Sequence, residues 1–112
     1  MKAIKKYDRI VTIINELLDL DLRKKSRRGI NVMSRDVAAF LIKTYYNKGW
    51  EQTARIVGHK SHSATYIGVK RCRYRLDEEV LNGQEVWSRR LLLEYMFEAI
   101  GVEEGWERLN DS

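Results

Sequence analysis

The stretch WEQTARIVGHKSHSATYIGVKRCRYRL, Trp50 to Leu76, decides how this chain folds. Trp50, Ala54 and Val57 recur at helical spacing, which predicts a short helix over 50–57. Gly58 is a helix stop, because glycine alone enters the left-handed cap conformation at no steric cost. A second helix is expected over 61–77, with Thr65, Gly68, Val69, Cys72 and Leu76 as its inward stripe. Lys70, Arg71, Arg73, Tyr74 and Arg75 crowd its remaining surface. A short helix, a glycine-containing turn and a second helix with a polar start form the helix-turn-helix pattern.

Working upstream, Tyr7, Ile10, Val11, Ile14, Leu17 and Leu18 share one helical face, predicting a helix over 4–21. The run Arg23-Lys24-Lys25-Ser26-Arg27-Arg28-Gly29 is too densely charged for a continuous helix and is expected as a loop. Ser34 is then the expected cap of a helix that ends at Asn47-Lys48-Gly49, with Asp36 in its first turn, where a negative charge suits the dipole. Val37, Phe40, Leu41 and Tyr45 face inward. Working downstream, a fifth helix is expected over 85–100, carrying Val86, Trp87, Leu91, Leu92, Leu93, Tyr95, Met96, Phe97 and Ile100. That is more apolar surface than one stripe can hide. Two arrangements answer the excess: a symmetric homodimer, or a monomer in which this helix folds back along the first.

The fold class expected is therefore all-α, a compact bundle of about five helices. The 112 residues form one helical domain, with a helix-turn-helix core at 22–77, an extra helix at 84–100 and an acidic tail at 101–112. Within the tail, Trp106 is the residue expected to dock. There is no Pro, and Cys72 is the only cysteine, so no intramolecular disulfide can form. That fits a reducing, cytoplasmic setting. No signal-like block opens the chain, and no run of about 18 apolar residues offers a membrane span.

Charge is segregated. Residues 1–33 carry 9 Lys+Arg against 4 Asp+Glu, residues 34–76 carry 9 against 2, and residues 77–112 carry 3 against 10. Folding does not require such crowding of like charges, so a polyanionic partner on the basic side is the natural explanation. The polar start Ser61-His62-Ser63-Ala64 offers short hydroxyls, an imidazole and a methyl to base edges in a major groove. Lys60, Lys70, Arg71 and Arg73 flank it as phosphate ligands. Arg27 and Arg28 form a candidate minor-groove arm. Metal and nucleophilic chemistry find no support in these residues. His59, His62 and Cys72 lack a closed zinc-site spacing and a fourth ligand. The Ser61–Ser63 hydroxyls and His62 have no orienting group or oxyanion site. No catalytic residue, metal or cofactor is expected.

Residues 34–76 resemble, without a gap, the carboxy-terminal DNA-binding domain of the bacterial replication initiator DnaA, which has a Trp-repressor-like helix-turn-helix. Gly58-His59-Lys60-Ser61-His62-Ser63-Ala64-Thr65 parallels that family's Gly-Gly-Arg-Asp-His-Thr-Thr-Val signature. Arg35, Ala38, Leu41 and Lys43 also fit, and Leu20 to Arg28 resembles the family's basic loop, so the resemblance extends over 8–76. It does not include the ATPase domain, which 112 residues cannot hold, and Gly58-His59-Lys60-Ser61 is no Walker A motif.

The resemblance implies base contact by His62, at a base-reading histidine, and by Ser63, at a base-reading threonine. Ser61 stands for the family's aspartate, Ala64 for its second threonine and Thr65 for a core valine. Arg27 takes the place of a minor-groove arginine, with Arg28 beside it. Arg35, Lys43, Lys60 and Arg71 fall at basic positions on or near the phosphate backbone. Trp50-Glu51 replaces a Leu-Pro pair there, and Lys70 joins the same set. The expected function is sequence-specific double-stranded DNA binding, as a transcriptional regulator or replication accessory of bacterial or phage origin at the nucleoid. The competing expectation is a protein-interaction module that binds a replication or transcription factor through the acidic, apolar C-terminal part.

Overall fold

Helix α2 (Gly29–Tyr46) is the spine on which the other elements are built. Residues 6–101 are described by the computed structural model. The tail beyond Gly101, including Trp106 and the acidic residues Glu103, Glu104 and Glu107, lies outside them. The element order is α1 (Lys6–Leu18), α2, α3 (Trp50–Val57), α4 (His62–Tyr74), β1 (Val80–Asn82), β2 (Glu85–Trp87) and α5 (Arg89–Ile100). The architecture is the expected all-α bundle of five helices, with one short hairpin added.

The middle of α2 is buried on every side, from Asp36 through Ile42. A helix apolar all round must be surrounded, and α1, α3, α4, β1 and α5 all pack against it. Ile10, Ile14 and Leu18 of α1 join Met33, Phe40, Leu41, Val57, Val69, Leu92, Leu93 and Met96 in one continuous core.

Several boundaries differ from the sequence expectation. α1 stops at Leu18, because Asp19 turns into the left-handed region at φ 52°. Asn15 Oδ1 then accepts the Leu22 N–H at 2.9 Å, and Leu22 is drawn fully into the core. Ser34 does not cap α2. The helix starts six residues earlier, at Gly29, and the buried Ser34 hydroxyl donates to Ile30 O at 2.6 Å. Ile30 and Met33 extend the buried apolar stripe backward, and burial outweighs the local capping preference. α4 ends at Tyr74, and α5 begins only at Arg89.

Residues 80–87, partly assigned to the fifth helix, form an antiparallel hairpin around Gly83-Gln84, with Val80 opposite Trp87. Asn82 Nδ2 donates to Leu18 O at 2.9 Å, so the hairpin closes the open end of α1. Ser88 then caps α5, accepting the Leu91 N–H at 3.1 Å. Leu92, Leu93, Met96 and Phe97 of α5 enter the core, while Leu91 and Tyr95 are left 44% and 46% exposed.

Candidate nucleic-acid interface

The corner between α3 and α4 is fixed at Gly58, His59 and Ser61. Gly58 sits at φ +84°, and a Cβ there would come within 2.6 Å of Arg23 Cα, so the basic loop packs directly on the turn. His59 N–H donates to Ala54 O at 2.8 Å. Its Nδ1 is hydrogen-bonded to the buried Thr65 Oγ1 at 2.8 Å, tying the turn to α4. Burial pushes the His59 imidazole down to about 4, against the pull of nearby Asp36, so the ring is neutral at pH 7. Ser61 Oγ accepts the Ala64 N–H at 3.3 Å and caps α4.

Beneath this corner lies a polar cluster that the sequence reading missed. Asp36 is fully buried. It receives a two-pronged grip from Arg71, Nε to Oδ2 and Nη2 to Oδ1, each at 3.0 Å. Arg89, only 2% exposed, adds Nη2 to Oδ2 at 2.8 Å and reaches Glu78 Oε1 with Nη1 at 3.2 Å. Arg75 Nη1 lies 3.7 Å from Glu78 Oε2, so three guanidiniums surround two carboxylates and join α2, α4 and α5. The hydrogen bond to Asp36 raises the Arg71 pKa further. Gly68 makes room for the cluster, since a Cβ there would lie 2.7 Å from Asp36 Oδ1.

α4 turns its other face outward. His62, Ser63, Tyr66, Ile67, Lys70 and Tyr74 are all exposed, at helical spacing along one side. Of the expected base-contacting residues, His62 and Ser63 stand on this face. The Ser61 hydroxyl is engaged in the cap, and Ala64 is half-buried. Three adjoining depressions run along the α3–α4 groove. One, of about 480 Å3, lies between Trp50, Glu51, Arg55 and His62. A second, of about 370 Å3, reaches Lys60 and Ser61. The third, of about 270 Å3, is walled by Trp50, Tyr66 and Ile67.

The expected phosphate ligands divide into two groups. Lys60 and Lys70 are exposed. Lys43 donates to Lys48 O at 2.9 Å and lies 4.3 Å from the centre of the half-buried Trp50 ring. Arg71 is held by Asp36. Arg35 is committed to the basic loop, donating to Leu22 O at 3.1 Å, Lys24 O at 3.2 Å and Ser26 O. Desolvation lowers the Arg35 pKa. Arg23 pins the same loop from its other side, with Nε 2.7 Å from Ile56 O. The loop is therefore clamped beside the turn, while Arg27 and Arg28 extend outward and form no ion pair among the described residues.

Cys72 is buried, and desolvation raises its thiol pKa, so it packs as a small apolar group. Among the described residues, no three His, Cys, Asp or Glu side chains gather as a metal-binding group, and no helix is long and apolar enough to cross a membrane. In comparisons with known proteins, no family model, curated protein or solved structure matches the chain.

Proposed function

We propose that this chain binds double-stranded DNA sequence-specifically through α3 and α4 used as a helix-turn-helix, in the manner of the DnaA DNA-binding domain that residues 8–76 resemble. The observation that carries the reading is the outward face of α4. A capped, rigidly cornered helix presents His62, Ser63 and Lys70 to solvent next to a basic loop clamped in place. In this reading His62 and Ser63 contact base edges, Lys60 and Lys70 neutralise phosphates, and Arg27 and Arg28 reach an adjacent minor groove. Arg35 and Arg71 act from behind, holding the loop and α4 in position. A cytoplasmic, nucleoid-associated role in transcription control or replication follows from it.

A salt titration of duplex binding is the experiment. Affinity falls by several powers of the salt concentration if phosphates are neutralised, and Lys70→Ala flattens the slope by about one unit. His62→Ala lowers affinity for the preferred site by about 1–3 kcal/mol while leaving non-specific binding alone. An unchanged ranking of sites in His62→Ala refutes the base-reading role.

A second reading, contact with another copy or a protein partner, is favoured by a different surface. Leu81, Val86, Leu91 and Tyr95 are 44–64% exposed, and a depression there is bordered by Asp77, Glu79 and Glu94. Sedimentation at micromolar concentration tests the homodimer: Leu91→Lys shifts a dimer to monomer and leaves a monomer unchanged.

A further inference from the structure

Tyr66 and Ile67 are large apolar side chains, 48% and 51% exposed, in the middle of a cationic face. The Tyr66 hydroxyl could serve a phosphate or a base edge, but neither phosphate contact nor hydrogen bonding accounts for Ile67 or for the apolar ring of Tyr66. With Trp50 they wall a depression of about 270 Å3 whose rim is His62 and Ser63. The walls are held in place. The Trp50 and Tyr66 rings meet edge to face at 5.4 Å and 74°. Lys43 Nζ lies 4.3 Å from the Trp50 ring centre, and Lys70 Nζ lies 4.7 Å from that of Tyr66.

The surface therefore fits a ligand that is anionic at its margins and carries a small apolar group between them. Duplex DNA meets that description. Phosphates flank the major groove, and the apolar group that bases display in it is the C5-methyl of a pyrimidine. Base stacking is a poorer fit, because it needs open ring faces and lysine ammoniums already lie over both aromatic rings.

We infer that the Trp50–Tyr66–Ile67 depression receives the C5-methyl group of a pyrimidine in the major groove, from thymine or from 5-methylcytosine. The inference rests on the duplex-binding reading above and adds a residue class to it: this site selects by methyl group, beside the hydrogen-bonding His62 and Ser63. Burying one methyl corresponds to about fourfold in affinity.

The test begins with a duplex selected from a random pool. Each thymine is replaced in turn by uracil, which removes the methyl alone, and each cytosine by 5-methylcytosine. One or two thymine-to-uracil changes should each weaken binding about fourfold, assigning the depression to thymine. A fourfold gain on methylating one cytosine, with every uracil neutral, assigns it to 5-methylcytosine. In Ile67→Ala the methylated and unmethylated duplexes should bind alike, and a circular-dichroism melt of that variant checks that it is folded. The inference is overturned if both series are flat on a tightly bound duplex, if the methyl effect is equally large in folded Ile67→Ala, or if the single strand binds more tightly than the duplex. Absence of any salt-dependent duplex binding overturns the DNA-binding reading as well, so the two failures are distinguishable.

Discussion

Asp36 and His59 sit under the candidate reading helix, and each makes a prediction whose sign runs against simple expectation. Gly68→Ala would normally favour a helix by about 1 kcal/mol. Here the added Cβ falls 2.7 Å from Asp36 Oδ1 and must displace a carboxylate that Arg71 and Arg89 hold from two sides. The variant is therefore expected to be destabilised by about 1–3 kcal/mol, read as a lower urea midpoint. A gain in stability would show that the cluster can shift at no cost. His59 is held at about 4 when folded, against about 6.5 for a free imidazole. Between those values the unfolded chain binds more protons. Stability from this group is thus complete above about pH 6.5 and is lost as the pH falls toward 4. Because the ring is partly solvated, the loss at pH 4.5 is roughly 1–2 kcal/mol. Urea titrations at pH 7 and 4.5 on the parent and His59→Gln isolate it, since the carboxylates common to both cancel. Equal pH dependence in the two proteins would refute it.

At the scale of elements, the legible parts are those whose ends are written locally. α3 spans 50–57 as expected because Gly49 and Gly58 bracket it, and α4 starts where Ser61 supplies a cap. The start of α2 was not legible. Ser34 has the chemistry of a cap, yet its place in a buried stripe makes it an interior residue. The hairpin does have a local signal in the sequence. Asn82-Gly83 stands between Val80-Leu81 and Val86-Trp87, but the dense apolar content of 86–100 favoured one long helix. The groups of the candidate site divide the same way. His62, Ser63 and Lys70 were visible as a polar, basic helix surface. Asp36 was not, because its partners lie 35 and 53 residues further along the chain. The cap at α5 is separable from the reading head. Ser88→Ala removes the acceptor for the Leu91 N–H and should cost about 1 kcal/mol by thermal or urea unfolding. Duplex affinity of the folded fraction should stay the same. A large loss of affinity would mean that α5 takes part in recognition.

The molecule as a whole raises the question of whether the segment that resembles a DNA-binding domain stands alone. From sequence, 22–77 is expected as the helix-turn-helix core and 84–100 as an extra helix. In the structure the addition is structural. Trp87, Leu92, Leu93, Met96 and Phe97 are all buried in the shared core, and Arg89 supplies two of the four hydrogen bonds that Asp36 receives from guanidiniums. Burying five such side chains contributes on the order of 7–15 kcal/mol, as much as the whole stability of an ordinary small domain. Removing them also takes away the two hydrogen bonds that Arg89 gives to Asp36. A chain ending at residue 79 should therefore show no cooperative thermal transition, while the full chain melts in one. Adding separate α5 peptide should not restore the fold at micromolar concentration, because linking supplies an effective concentration that free peptide lacks. A cooperative melt of the short chain, or two resolved transitions in the full one, would make 22–77 a self-sufficient unit. The acidic, half-exposed α5 surface would then need a purpose other than closing the core, and the partner-binding reading would gain in weight accordingly.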